Sequence, residues 1–292
     1  MNILITGASG FIGRHLIRSL VQSDHNISAC IHKSEIPFKV KIFTCDFAQM
    51  QKVTDWLPLL MGIDVVINCV GVIAEDKKHS FNVMHHLAPV ALFIACEKTH
   101  VQRVIQVSAL GADDSARVEY HKSKLKADDY LRQSTLEWFV LRPSLIFGEG
   151  GKSYVFFKCL SNLPIIPLVG GGQQLIQPIA VDEMVAVIEK CILNKRPNQT
   201  FDVVGDKPIT YKQWMLQLRN KQSKARFMTL PISWMKFMAK LLKPFKLKLL
   251  STDNLTMLEQ NNVADSLPLK EFIHSTGDSC LCRNDKIQEK SK

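Results

Sequence analysis

No run of about 18 uninterrupted apolar residues occurs in this chain, which excludes an ordinary membrane-spanning helix. The nearest candidate, DVVINCVGVIA at 64–74, is broken by Asp64 and Asn68 and reads as a buried strand. The eight cysteines form no Cys-x-x-Cys pair and no His/Cys metal spacing. Neither a disulfide framework nor a metal site is therefore expected, and the chain reads as one from a reducing compartment. The strand-like NILIT starts at residue 2, so no secretory leader is expected. Acidic residues are missing from Lys207 to Thr252, a stretch that holds eleven Lys or Arg. The formal charge of +10 is thus local, and the rest of the chain sums to −1.

What is present is ordinary for a folded protein: 292 residues, 46% hydrophobic and 22% charged, enough to bury a substantial core. Short apolar runs at 2–6, 27–32, 40–45, 64–70, 103–108 and 137–142 alternate with helix-like segments near 11–22, 47–56, 81–99 and 119–133. Repeated β-α-β units with strands buried on both faces imply a parallel sheet with right-handed crossovers. The expected fold is α/β, a doubly wound Rossmann-type parallel sheet with a smaller, mostly helical C-terminal cap region. A helix at 182–193 and a strand at 200–204 return to that sheet, so 1–205 reads as the Rossmann domain. Residues 206–274 read as a basic helical cap or docking region, and 275–292 as a polar, disordered tail.

Gly7, Gly10 and Gly13 follow the first strand and open the first helix. Gly7 suits the tight turn, Gly10 lets backbone N–H groups approach a pyrophosphate, and Gly13 lets the helix pack close to the strand. The end of the second strand carries His32 and Lys33 where a carboxylate would bind the adenosine ribose. With Arg14 after the third glycine, these positive groups suit a 2′-phosphate and favour NADP(H) over NAD(H). Asp46 and Phe47 end the third strand. Asp46 can accept from an adenine amino group with Phe47 beside the ring, or cap the helix that follows.

In EYHKSK, Tyr120 and Lys124 lie four apart and share a helix face. A nearby ammonium lowers a phenol's pKa, which suits proton exchange with a substrate oxygen during hydride transfer. Ser108, at the end of the fifth strand, is placed to hydrogen-bond that oxygen. Taken in order, TGxxGxxG, NCVG, Ser108, Tyr120 with Lys124, and RPSLIFG at 142–148 resemble the extended and atypical short-chain dehydrogenase/reductase superfamily, the NAD-dependent epimerase/dehydratase group. The resemblance covers about residues 1–205. It implies that Gly7, Gly10, Phe11 and Ile12 face the pyrophosphate, with Ser9 and Gly13 also among the cofactor-binding residues, and that Asp46 and Phe47 face the adenine. It further implies that Cys69, Val70 and Gly71 line the ribose side, that Tyr120 and Lys124 are the catalytic pair, and that Pro143 through Ile146 touch the nicotinamide. Within the superfamily, VSALGAD, RPSLIFGEG, QPIAVDEMV and STDNLTMLEQNNV are most similar to the branch of the nucleotide-binding accessory subunit of respiratory complex I. Members of that branch are thought to hold NADP(H) without clear turnover.

In SWMKFMAKLLKPFKLKLL, Trp234, Phe237, Met238, Leu241 and Leu242 recur at helical spacing, with Lys236, Lys240 and Lys243 on another face. Such a helix either packs on its own core as a cap or lies on an anionic membrane surface. Nucleic acid is not an expected partner, because no base-stacking platform or binding module is present. The expected location is cytoplasmic, with the 207–252 segment as the route to the inner face of a membrane or to a membrane complex. Two functions stay open. One is an NADP(H)-preferring oxidoreductase acting on a carbonyl, hydroxyl or quinone-like small molecule through Ser108, Tyr120 and Lys124. The other is a non-catalytic accessory protein of a respiratory or quinone-biosynthesis complex.

Overall fold

The computed structural model describes residues 1–219, 225–231, 233 and 252–274. Seven parallel strands form the central sheet: β1 (Asn2–Thr6), β2 (Asn26–Ile31), β3 (Lys41–Thr44), β4 (Val65–Asn68), β5 (Arg103–Val107), β6 (Glu137–Pro143) and β7 (Gln199–Val203). Their spatial order is β7-β6-β5-β4-β1-β2-β3, a doubly wound sheet as expected. The register places Ile3 beside Val65 and Ile5 beside Ile67. Because successive strand residues face opposite ways, Ile3, Ile5, Ile67 and Phe139 enter one core while Leu4, Val66, Val104 and Val140 enter the other. Helices α1 (Phe11–Leu20) and α6 (Val181–Leu193) cover the first face. Helices α2 (Val53–Leu60), α3 (Ala88–Lys98) and α4 (Glu119–Gln133) cover the second.

Several local expectations change. The second helix starts at Val53 rather than 47, because residues 46–51 fold as a turn in which Asp46 accepts from Ala48 N–H. Asp46 therefore caps that turn, and Asp55 closes the helix start by accepting from Lys52 N–H at 3.0 Å. The segment expected as one helix over 81–99 opens with a π-helical turn, Asn82–Leu87, before α3. Pro89, without an N–H, interrupts the regular ladder at that junction.

Beyond Pro143 a smaller lobe forms around Phe157, Ile166, Leu168, Tyr211, Trp214 and Met215. It contains α5 (Lys152–Ser161) and α7 (Tyr211–Gln217). Strand Arg226–Leu230 lies in the stretch expected to be helical. It pairs in parallel with Ile165–Val169, whose backbone groups would otherwise lack partners. Helix Leu267–His274 buries Leu269 and Phe272 in the core of the main sheet, with the Phe272 ring 4.4 Å from that of Phe201. The segment at 234–250 expected as an amphipathic basic helix, Cys280, Cys282 and the residues at 275–292 lie outside the described residues. No helix among the described residues is long and apolar enough to cross a membrane. The six cysteines described are free thiols.

Candidate functional site

The turn between β1 and α1 is shaped by its glycines. Gly7 has φ +67°, and a Cβ there would come within 2.9 Å of the Cys69 backbone at the end of β4. A Cβ on Gly10 would stand 2.9 Å from the Gly7 carbonyl oxygen. One on Gly13 would overlap that same oxygen and approach Ala8 Cα to 2.8 Å. Gly10 is the N-cap of α1, supplies no side-chain cap and is followed by no acidic residue in the first turn. The leading N–H groups and the positive end of the helix are thus left for an anion. The cradle fits a dinucleotide pyrophosphate.

A buried polar ladder holds the strand ends beside this turn. Thr6 Oγ1 donates to Asn68 Oδ1 at 2.6 Å, and Asn68 Nδ2 donates to Gln106 Oε1 at 2.7 Å. The same Asn68 oxygen accepts from Val70 N–H at 3.2 Å. Three side chains in register across β1, β4 and β5 therefore fix the chain where it leaves β4.

Next to the turn lies a crevice of about 190 Å³. It brings together Gly7, Ser9 and Gly10 with His32, Asp46 and Phe47, and with Cys69, Val70 and Gly71. Phe47 turns its ring into the core, edge-on to Trp56 at 5.4 Å and only 7% exposed. Phe11 and Ile12 contribute backbone at the helix start. The Phe11 ring packs under the Gly148–Gly151 loop, and Ile12 packs on the core. Arg14 and Lys33 do not line the crevice. Arg14 directs its guanidinium to Gly150, because its place on α1 faces the loop after Ile146–Phe147. Lys33 is exposed beside His32. Sequence reasoning missed His79, Cys30, Cys45 and Met84 in the same wall. Cys45 was adjacent to a residue already singled out, whereas nothing local marks His79.

Around Tyr120 the expected triad is rearranged. Lys124 Nζ donates to the Val107 carbonyl at 3.0 Å and lies 5.9 Å from the Tyr120 ring centroid. Burial pulls the Lys124 pKa down to about 8, against the carboxylate of Asp128. The expected lowering of the phenol's pKa does not occur: burial instead pushes Tyr120 up to about 12. The Ser108 hydroxyl donates to Asp128 Oδ2. Burial raises Asp128 to about 6, opposed by that hydroxyl and by Lys124. Asp128 stands four residues after Lys124, so the helical spacing that paired Tyr120 with Lys124 also marked it.

His85, also missed, organises the other side of Tyr120. Its Nε2 accepts from Val72 N–H at 3.0 Å, which leaves Nδ1 as the protonated nitrogen facing Ser123 Oγ at 3.0 Å. Ser123 in turn donates to the Tyr120 carbonyl at 2.9 Å. Burial holds His85 well below the ordinary histidine range. It acts as a neutral spacer, its ring edge-on to Tyr120 at 5.3 Å.

Tyr120 and Pro143 line a second, larger cavity of about 430 Å³. Leu110, Phe156, Phe157, Ile176, Met257 and Leu258 supply most of its apolar wall. Asp113 and Arg117 are the acid and base among the described lining residues, with His121, lowered to about 4 mainly by burial, beside them. Ile146 sits in the short strand Ile146–Phe147 and packs on the main core.

Comparisons with known proteins agree with this geometry. The family model described as NAD(P)H-binding matches residues 7–158. The chain is 28% identical over 194 residues to NADH dehydrogenase [ubiquinone] 1 alpha subcomplex subunit 9, mitochondrial, of Arabidopsis thaliana, covering 63% of this chain and 48% of that protein. It is 27% identical over 173 residues to ceramide reductase of Caulobacter vibrioides, covering 57% and 53%. The chain thus spans about half the length of these curated relatives. Among solved structures, the Thermus thermophilus UDP-glucose 4-epimerase in complex with NAD superposes with a TM-score of 0.64 at 16% identity. That match covers 79% of this chain and 86% of the epimerase, and it concerns the fold.

Proposed function

The chain belongs to the NAD(P)H-binding family, and from that premise we propose that it reduces a carbonyl on a small, largely apolar molecule. The observation that carries this reading is the cavity beside Tyr120, walled by apolar side chains and reaching Pro143. Among its described lining residues Arg117 is the one Lys or Arg, too little positive charge to clamp a nucleoside diphosphate. A molecule with one polar end and an apolar body fits better.

The reduced nicotinamide supplies the hydride. Tyr120, with its pKa near 12, carries its proton at neutral pH and can donate it to the carbonyl oxygen as that oxygen becomes a hydroxyl. The phenolate left behind is stabilised by the Lys124 ammonium, an interaction that grows only as the proton departs. His85 and Ser123 hold the Tyr120 backbone, and Asp128 keeps Lys124 charged. Asp128 also holds the Ser108 hydroxyl, and in this reading Ser108 positions the helix through that bond. The test is NADPH oxidation over a panel of carbonyl and quinone compounds. Turnover of apolar ketones or aldehydes supports the reading, and binding of NADPH without any turnover refutes it.

The accessory reading draws on a specific observation as well: both Ser108 and Lys124 are tied to neighbours inside the protein. If NADPH binds, nothing turns over and the protein sediments with anionic liposomes, the accessory role replaces the enzymatic one. The liposome arm probes the basic 207–252 segment.

The reductase has a definite pH signature. Lys124 carries its charge below about 8, so kcat/KM falls as pH rises through that value. Asp128→Asn removes the carboxylate that favours the ammonium, and the falling limb moves to lower pH. A limb that stays in place in the variant removes Lys124 from the mechanism.

NADP(H) remains the preferred cofactor in this reading, now on His32 in the crevice wall and Lys33 beside it. Lys33→Ala should weaken NADPH by on the order of threefold and leave NADH unchanged, as an exposed charge pair would. Fluorescence titration with both cofactors measures it, and equal wild-type affinities refute the preference.

A further inference from the structure

The crevice wall holds a second arrangement, built from His79 together with His32 and Asp46, which the dinucleotide reading also uses. His32 follows β2, Asp46 follows β3, and His79 comes from the loop after β4. One potential ligand atom from each lies within 4.8 Å of the other two. His32 Nε2 stands 3.8 Å from Asp46 Oδ2, and the rings of His32 and His79 meet edge-on at 6.4 Å. A tetrahedral zinc ion with nitrogen and oxygen donors at about 2.0–2.1 Å needs ligand atoms about 3.3 Å apart. His32, 42% exposed along its side chain, has room to turn towards the other two.

The surroundings prepare two of the three donors. Asp76 Oδ1 lies 2.8 Å from His79 Nδ1, which leaves Nε2 as the nitrogen able to bind a metal. The same Asp76 oxygen accepts from the N–H groups of Lys78 and His79 at 2.9 and 3.0 Å, so the carboxylate is itself fixed. Metal-binding histidines are characteristically oriented by a carboxylate on the far nitrogen, which sets the tautomer and increases basicity. Asp46 is similarly restrained by Ala48 N–H and by Gln49 Nε2 at 2.8 Å. Two imidazoles and one carboxylate with a position left open are a ligand set zinc accepts.

We propose that His32, Asp46 and His79 bind a zinc ion at the mouth of the crevice, with Asp76 as a positioning residue for His79. The fourth position takes water or an anionic oxygen entering the crevice. Only where that oxygen is a phosphate of the bound dinucleotide does the proposal rest on the function proposed above.

The test is calorimetric titration of the full-length protein with ZnCl2, first alone and then with NADPH present. The wild type should take up zinc saturably, and His32→Ala and His79→Ala should each lose that binding by at least about tenfold. Asp76→Asn, which leaves the three ligands in place, should weaken it about 10–100-fold. It also serves if an alanine variant folds poorly. His100→Asn, exposed after α3, should change nothing. Zinc affinity unaltered in the His32 and His79 variants places the metal elsewhere, on Cys280 and Cys282 for example, and overturns the proposal. Absence of saturable binding overturns it equally. Zinc binding by a protein that does not bind NADPH would remove the dinucleotide reading of the crevice and leave the zinc site standing.

Discussion

Tyr120→Phe should lower NADPH-dependent carbonyl reduction by about 10²–10⁴-fold while leaving NADPH affinity within about twofold. The variant keeps the ring and its edge contacts with Phe81, His85 and His121 and loses only the hydroxyl. Those ring contacts hold the side chain in place without the hydroxyl, so folding stability should barely move. The loss belongs in kcat, because the proton is needed when charge develops on the substrate oxygen and not when the substrate binds. Stopped-flow NADPH oxidation with a substrate identified from the panel separates the two. Undiminished hydride transfer in the variant would assign the proton to another group. His121, in the same cavity wall, would be the next candidate, although burial keeps it neutral at pH 7.

Gly13→Ala should act on structure and cofactor together. Its added methyl would meet the Gly7 carbonyl oxygen and Ala8 Cα, backbone atoms that cannot rotate away. The clash moves either α1 or the glycine turn, at a cost of roughly 1–3 kcal/mol in stability. A displaced helix start also misdirects the N–H groups meant for the pyrophosphate. A charge-assisted hydrogen bond is worth about 1.5–3 kcal/mol, so NADPH affinity should drop by about tenfold or more. Urea unfolding and NADPH titration report the two effects separately. The same substitution at Gly62 meets nothing within 4 Å. It isolates the strain of a positive φ and should leave cofactor affinity unchanged. Wild-type NADPH affinity in Gly13→Ala would show that the turn does not carry the pyrophosphate.

Several features could be read from residue order alone because they depend on short-range periodicity. Short apolar runs alternating with helix-like segments mark six of the seven sheet strands in the first half, and TFDVV marks the last. The spacing of Gly7, Gly10 and Gly13 marked the close approach of α1 to β1, since only glycine tolerates it. The four-residue spacing of Tyr120 and Lys124 put both on one face of α4. Periodicity misled where one residue changed the local geometry. Pro89 forced a wider turn ahead of α3, and Asp46 closed a turn where a helix was expected. Strand Arg226–Leu230 escaped notice because its pairing partner is remote in the chain, at Ile165–Val169.

The sequence by itself determined the parallel sheet, the dinucleotide turn and the helix that carries Tyr120, all legible from short-range residue patterns or from a backbone that admits no Cβ. Only the tertiary structure decided what the polar side chains do. Ser108 meets Asp128 across the gap between β5 and α4, and the Tyr120 phenol is raised rather than lowered because the folded chain removes water from it. His79 joins His32 and Asp46 through a loop whose path no local pattern records. Hydrogen bonding, desolvation and metal ligation depend on distance in space, and those distances exist only once the strands have paired and the loops between them have closed.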